Sequence, residues 1–421
     1  MQISDHDRTT LRDLGARIME VASLPEQAER AERWRRLNRL EPVRPLVYIN
    51  EIPWHEMNVD DELTLRCEDP FCQGIETSLR RTLYQWNHMP GDMVVDPVLY
   101  SPVPHTPQSC YSGWGVEENA VRAADGHGSA GFIPVITSEA DLDKLGRPEV
   151  TVDWDAAARN REAMASIFDG VIPIEQRGIV TQWMAPWDVL IHWYGIEQLY
   201  IDMIDRPELV HALLGRFMDG VHHVLDRQAE LGLLSVSNGN HRVGSGGLGI
   251  TDELPGPDNP PAHVGPEHQW GTSTGQIFSE VSPDMHEEFC LRYERPYLAR
   301  FGLTCYGCCE PLHNKMHLMR TIPNLRRISM STWIDVEKAV AGVGADYVFS
   351  RKPNPAVLAA ETWSPAQART ELVDFLAKAE GCRVELVMKD ISTVRNEPQR
   401  LWEWERIAMD AARAAEAAYA A

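Results

Sequence analysis

The sequence predicts an α/β protein, a (β/α)8 TIM barrel with an N-terminal helical extension and a long glycine-rich insertion after strand four. Three observations carry that prediction. Short apolar runs, suited to strands buried on both faces, alternate with amphipathic helical stretches, the signature of a parallel sheet. About eight such repeats follow one another, enough for the sheet to close on itself. Several helices also open with an N-cap followed by proline or acidic residues, which fixes where they begin.

Taken in order, residues 5–21 and 25–40 read as two amphipathic helices, the first capped by Ser4. The apolar run 44–50 is the first strand, and a helix follows over 75–88. Further strands are predicted over 93–99, 132–136, 179–184, 233–237, 304–307, 327–331, 346–350 and 384–388. Helices lie between most of them, over 156–168, 207–229, 283–300, 311–320, 335–341, 365–379 and 398–415. Ser282-Pro283, Ser364-Pro365 and Asp335-Val336-Glu337 mark three helix starts. The stretch 239–275 is different, being rich in Gly, Pro, Asn and Asp and without periodicity. It contains Gly244-Ser245-Gly246-Gly247-Leu248-Gly249, and a long ordered loop of this kind is usually functional. No linker divides the chain, so residues 1–421 read as a single barrel domain with 1–43 as its helical extension.

The formal net charge is -22, so the surface repels phosphate backbones and anionic membranes, and nucleic acid is excluded as the expected partner. The first residues lack a basic stretch followed by an apolar one, and no window is apolar for the length of a bilayer. These features predict a cytoplasmic protein without a membrane partner.

Three of the eight cysteines crowd into Cys305-Tyr306-Gly307-Cys308-Cys309-Glu310. In a reducing compartment such a cluster points to metal or thiol chemistry, against the alternative of inert packing cysteines. The turn falls where a strand ends and a helix begins, on the face where barrels place their active sites. Cys308 and Cys309 form a soft ligand pair for zinc, competing with the C-x2-C pair Cys305 and Cys308. His241, Glu310, Glu280 and Asp390 are candidates to complete the set. His313 and His317, one turn apart, read as a solvated helix face. Arg351 and Lys352, just after strand seven, are candidate contacts for an anionic substrate group, against the reading of an exposed loop. Gly246 and Gly247 allow close backbone approach to a ligand, but the run lacks the strand and helix context of a dinucleotide site and the lysine of a P-loop.

Asp205-Arg206-Pro207-Glu208-Leu209-Val210-His211, then Val281-Ser282-Pro283-Asp284-Met285-His286-Glu287-Glu288-Phe289, then Pro296-Tyr297, resemble the uroporphyrinogen decarboxylase superfamily in content and order. Residues 138–145 are similar as well, so the resemblance spans roughly residues 130–420. The closest branch is that of the cobalamin-dependent zinc methyltransferases. The resemblance implies a barrel whose fifth strand carries the reactive centre in a His-x-Cys-Gly motif. Here Thr304 stands at the histidine position and Tyr306 at the cysteine position, and no cysteine stands near strand eight, in Val387-Met388-Lys389-Asp390.

On that resemblance the chain is expected to be a zinc-dependent methyltransferase moving a methyl group between a corrinoid (methylcobalamin) and a thiol or related small-molecule acceptor. The metal ligands would be Cys308, Cys309 and His241, with Glu310 as the catalytic carboxylate. Gly246 and Gly247 would give room to the corrinoid, with Arg351 and Lys352 on the substrate. A corrinoid protein and a second copy of the chain are the implied partners. The alternatives are a decarboxylase-like lyase acting on a tetrapyrrole and a non-catalytic corrinoid- or tetrapyrrole-binding protein. The arginine-rich motif of the decarboxylases is absent from residues 44–57, where Ile52-Pro53-Trp54-His55 stands instead.

Overall fold

Ser4 accepts the amide of Asp7 and so starts α1 (Asp5–Ala22), which buries Leu11, Leu14 and Ile18 along one face. In this computed structural model, residues 3–110, 112–121, 131–256 and 258–419 are described. Pro25 occupies the first turn of α2 (Pro25–Asn38), whose Trp34 and Leu37 point inward. The first strand is β1 (Leu46–Ile49), followed by α3 (Pro70–His88), where Asp69 caps the amides of Phe71 and Cys72.

After α3 come β2 (Leu99–Pro102) and an excursion of short ribbons. In it β3 (His105–Thr106) pairs antiparallel with β6 (Thr151–Val152), and β4 (Asn119–Val121) with β5 (Gly131–Ile133). The chain continues through α4 (Trp154–Phe168), β7 (Ile174–Arg177) and β8 (Gln182–Met184). Three helices follow, α5 (Pro186–Tyr194), α6 (Ile196–Asp205) and α7 (Pro207–Glu230), and then β9 (Trp270–Ser273). Next stand α8 (Pro283–His286), a π turn over Glu287–Leu291, and α9 (Arg292–Leu298).

The last third alternates strictly. β10 (Leu303–Tyr306) leads to α10 (Met316–Met319), and β11 (Leu325–Met330) to α11 (Val336–Val343). β12 (Val348–Arg351) leads to α12 (Ala356–Ala359) and α13 (Pro365–Lys378). Finally β13 (Arg383–Met388) leads to α14 (Gln399–Ala414) and α15 (Glu416–Tyr419).

Seven strands form one parallel sheet in the order β1-β13-β12-β11-β10-β9-β8. β2 pairs in parallel with β7 as a separate two-stranded unit. The architecture is therefore α/β with a seven-stranded parallel sheet and surrounding helices. It is compatible with a TIM-barrel-like fold, but the hydrogen-bonded ladder does not close. The ladder is interrupted at a seam between β1 and β2 and again between β7 and β8.

Side-chain parity along the strands decides what faces inward. On β12, Val348 packs with Trp34, Leu46, Leu248 and Ile250, while Phe349 turns outward onto Phe375 of α13. The inner space is filled by the Gly244–Gly249 run, all of it buried. There Arg327 of β11 pairs with Glu385 of β13 at 3.3 Å, both fully buried. Arg327 also donates to the carbonyls of Gly247 and Leu248, each at 3.0 Å, and to Asn38 Oδ1 at 2.7 Å. The amide of Gly247 donates to Glu385 at 2.9 Å. A Cβ on Gly246 would stand 2.4 Å from Arg327, and one on Gly247 2.3 Å from the Trp34 ring, so only glycine fits at both positions.

Three strand and helix expectations are corrected. The segment 132–136 is not a buried barrel strand: Ile133 is 45% exposed and Phe132 stacks on the His192 ring in the ribbon of β5. The strand in that part of the sheet order is β7, Ile-Glu-Gln-Arg, whose polar alternation hides it from a search for apolar runs. Residues 233–237 form only the bridge between Leu234 and Ile179. The helix expected over 283–300 is split by the π turn at Glu287–Leu291, a feature often found beside functional sites.

Candidate functional site

The cysteine turn sits at the C-terminal end of β10, where Gly307 adopts φ 97° with its would-be Cβ 2.2 Å from the Ser329 carbonyl. Only glycine turns the chain there. Parity continues through the turn. Cys305 faces the interior against Gly244, whereas Tyr306 points out of the sheet to His286, at 2.9 Å between Nε2 and the phenol. Tyr306, where the sequence resemblance would place a cysteine, therefore faces the helix layer.

Glu310 braces the turn from below. Its carboxylate accepts from Thr274 Oγ1 at 2.6 Å, the Gly275 amide at 2.9 Å and the Cys308 amide at 2.7 Å, and it is fully buried. These three bonds tie the end of β9 to the thiol-bearing turn.

Cys308 is buried and Cys309 exposed, with their sulfurs 3.5 Å apart. Of the two thiols, Cys308 is the one whose ionisation the surroundings favour. The hydrogen bond from Cys309 lowers its thiol to about 6, burial opposes this, and the ammonium groups of Lys352 and Lys389 reinforce it. The Cys309 thiol is raised for the same reason, by its bond to Cys308 and by burial.

Lys389, one residue past β13, faces inward by the parity of Glu385 and Val387. Its Nζ lies 3.5 Å from Cys308 Sγ, 3.5 Å from Ser245 Oγ, 3.2 Å from Asp390 and 3.4 Å from Glu51. Burial works against its charge, but facing Cys308, Asp390 and Glu51 raises its pKa. Lys352 donates to Ser329 Oγ at 2.9 Å and to the Cys308 carbonyl, and it is buried. Burial lowers its pKa, with the Cys308 thiolate opposing.

The sequence-predicted residues divide accordingly. Cys308, Cys309, Glu310 and Lys352 come together. Arg351 does not join them, because β12 parity turns it outward: it donates to the Ser331 carbonyl at 2.8 Å and lies over the Phe375 ring. His241 stays at the entrance of the glycine run, its Nε2 2.7 Å from Ser237 Oγ, and burial lowers its pKa to about 3. Gly246 and Gly247 are wedged against Arg327 and Trp34 and line no opening for a macrocycle.

Zinc does not fit this donor set. Among the described residues no group of three or more His, Cys, Asp or Glu side chains is placed to hold a metal ion. The place between Cys308 and Asp390 is taken by the Lys389 ammonium, and the Glu310 oxygens are already bonded to the turn.

Sequence reasoning missed Lys389, Ser245, Ser329 and Asp188. Lys389 has a sequence signal, being the first inward position after a strand end, as Lys352 is. Asp188, in the first turn of α5, accepts from Gln276 at 2.6 Å. Burial raises it to about 6, with Glu310 and Cys308 adding to the rise. Beside Cys309, a cavity of about 400 Å³ opens between Lys352, Lys389, Asp390 and the ring of Trp333, which is 75% exposed.

No protein family matches the chain, and no curated protein does. Among solved structures, a methyltransferase from Methanosarcina mazei is similar at 12% identity and a TM-score of 0.48, over 90% of this chain and 98% of that one. No helix among the described residues is long and apolar enough to cross a membrane.

Proposed function

We propose that the protein is a group-transfer enzyme, with methyl transfer as its reaction, in which the Cys308 thiolate is itself the nucleophile. The observation that supports this reading is the Lys389 ammonium 3.5 Å from Cys308 Sγ, at the mouth of the sheet and in the place expected for a metal. An adjacent cation stabilises the thiolate, the reactive form of cysteine, at neutral pH. Lys352 orients the nucleophile through its bonds to the Cys308 carbonyl and Ser329, while Glu310 holds the backbone of the turn.

The half-reaction that the site supports is methylation of Cys308 itself, in which its Sγ forms a bond to the methyl carbon of the substrate. The bond from that carbon to its leaving group breaks, and the electron pair departs with the leaving group. A sulfonium donor leaves as a neutral thioether, so this step needs no proton from the protein. The substrate occupies the cavity beside Cys309 and Trp333. The residues expected to hold zinc and a corrinoid do not fit those groups, so no step passes through either. A cytoplasmic single-domain protein is part of the same proposal.

The test is mass spectrometry of the full chain after incubation with trimethylsulfonium and, separately, S-methylmethionine. A methyl group on the Cys308 peptide, absent in Cys308→Ser, is the expected result. An unmodified Cys308 with both donors, in protein whose Cys308 still reacts with iodoacetamide, would overturn the reading.

A further inference from the structure

At the seam between β1 and β2 lies a second cavity, of about 410 Å³, which shares no lining residue with the one beside Cys309. Its size is within the range of about 300–1,000 Å³ common for small-molecule sites. One wall carries Tyr48, Asp96, Tyr100, Arg177 and Asn240; Ser78, Thr82 and Gln85 of α3 face them. None of these residues takes part in the chemistry described above.

Arg177 is the telling group. Its guanidinium lies over the Tyr100 ring, 3.5 Å from the centroid, which holds it in one orientation. Among the described residues no carboxylate comes within ion-pairing distance of it, although it is substantially buried. Apart from the hydrogen bond it shares with the Tyr100 side chain, this guanidinium without an ion-paired carboxylate has donors left for another acceptor, and its planar fork matches a carboxylate best. Asp96 lines the same cavity without an ion pair. Burial raises its carboxyl to about 6, partly offset by Arg177 and by the side chain of Asn240. The two groups attract each other across one space without forming a contact ion pair. A ligand that satisfies both must bring an acceptor for Arg177 and a donor for Asp96.

We propose that this cavity is a binding site for a small hydroxy- or amino-carboxylate. The ligand carboxylate pairs with Arg177, and its hydroxyl or ammonium donates to Asp96. Burying the ligand between α3 and the seam joins two edges that share no ladder, so binding stiffens the sheet there.

The experiment is isothermal titration of the full chain with L-malate and with L-glutamate, using 1,2-propanediol as a control without a carboxylate. Malate, glutamate or both bind at one site per chain, and the two arms separate the hydroxy from the amino ligand. Arg177→Met and Asp96→Asn each weaken that binding at least about tenfold, the loss of one charge-assisted bond. Ser78→Trp, at an exposed position on α3, blocks the entrance without touching the core and abolishes binding in a chain that still folds. Cys308→Ser leaves it unchanged. The proposal is overturned if neither acid binds, or if binding survives both Arg177→Met and Ser78→Trp.

Discussion

The Nζ of Lys389 stands 3.5 Å from the Sγ of Cys308, an ammonium–thiolate contact inside the mouth of a parallel sheet. Its first consequence concerns thiol reactivity. The Cys308 thiol, lowered to about 6, is ionised above that pH and loses its reactivity as the pH falls through it. Iodoacetamide labelling of Cys308 is expected to rise with its midpoint near pH 6 and to level off above about pH 7. In Lys389→Met the titration moves toward the ordinary thiol range, and labelling at pH 7 slows about tenfold. An unchanged labelling profile in the variant would show that the lysine does not hold the charge.

Asp188 and Cys308 titrate in the same region, and each disfavours the negative charge of the other. Methylation that requires only the thiolate rises through about pH 6 and stays level above it. Asp188→Asn removes a negative charge that faces the thiolate and moves that rise to lower pH, with the rate at pH 8 unchanged. An unshifted profile would exclude an interaction between the two groups.

The ammonium between Cys308 and Asp390 predicts that protein expressed in zinc-supplemented medium carries well below one zinc per chain. Elemental analysis checks this. A full equivalent of zinc that disappears in Cys308→Ser would restore the metal reading.

Glu294 predicts a pH dependence of stability. It is buried against Ser273, with its Oε1 2.8 Å from the hydroxyl, and burial raises its pKa to about 7. Because the folded pKa lies above the unfolded one, the protonated form favours folding. That contribution is complete below the ordinary glutamate range and is lost as the pH rises through about 7. Urea denaturation of Glu294→Gln against wild type should show a gap that changes by about 1–3 kcal/mol between pH 4.5 and 7.5. A constant gap would mean that Glu294 titrates normally.

Gly246→Ala places a methyl group against Arg327 and disturbs its pairing with Glu385. A loss of about 1–3 kcal/mol in urea denaturation is expected from overpacking alone. A neutral result would mean that the run is looser than its contacts indicate.

Much of the helix layer is legible in the sequence because its signals are local. The caps Ser4, Ser282, Asp335 and Ser364 each accept an amide at the start of their helix. The cysteine turn is legible as a location, since a strand end followed by a helix start needs only neighbouring residues. Its partners are not. Lys389 reaches Cys308 from 81 positions away, and only parity along β13 determines that it points inward. Arg351 and Lys352 are adjacent in sequence, yet their faces differ because the side-chain period of a strand is two. The glycine run reads as an open loop because nothing local reveals the Arg327 and Glu385 that enclose it.

That enclosure bears on how the chain reaches its native state. Trp34, Asn38, Gly247, Arg327 and Glu385 come from four distant stretches, and they meet in one buried cluster. The Arg327–Glu385 pair is uncompensated until the glycine run and α2 have arrived, so partial assemblies leave two desolvated charges with few partners. Such long-range closure slows folding relative to local helix formation. A fragment ending before β13 lacks Glu385, leaves Arg327 unpaired, and is expected to collapse without acquiring a fixed interior.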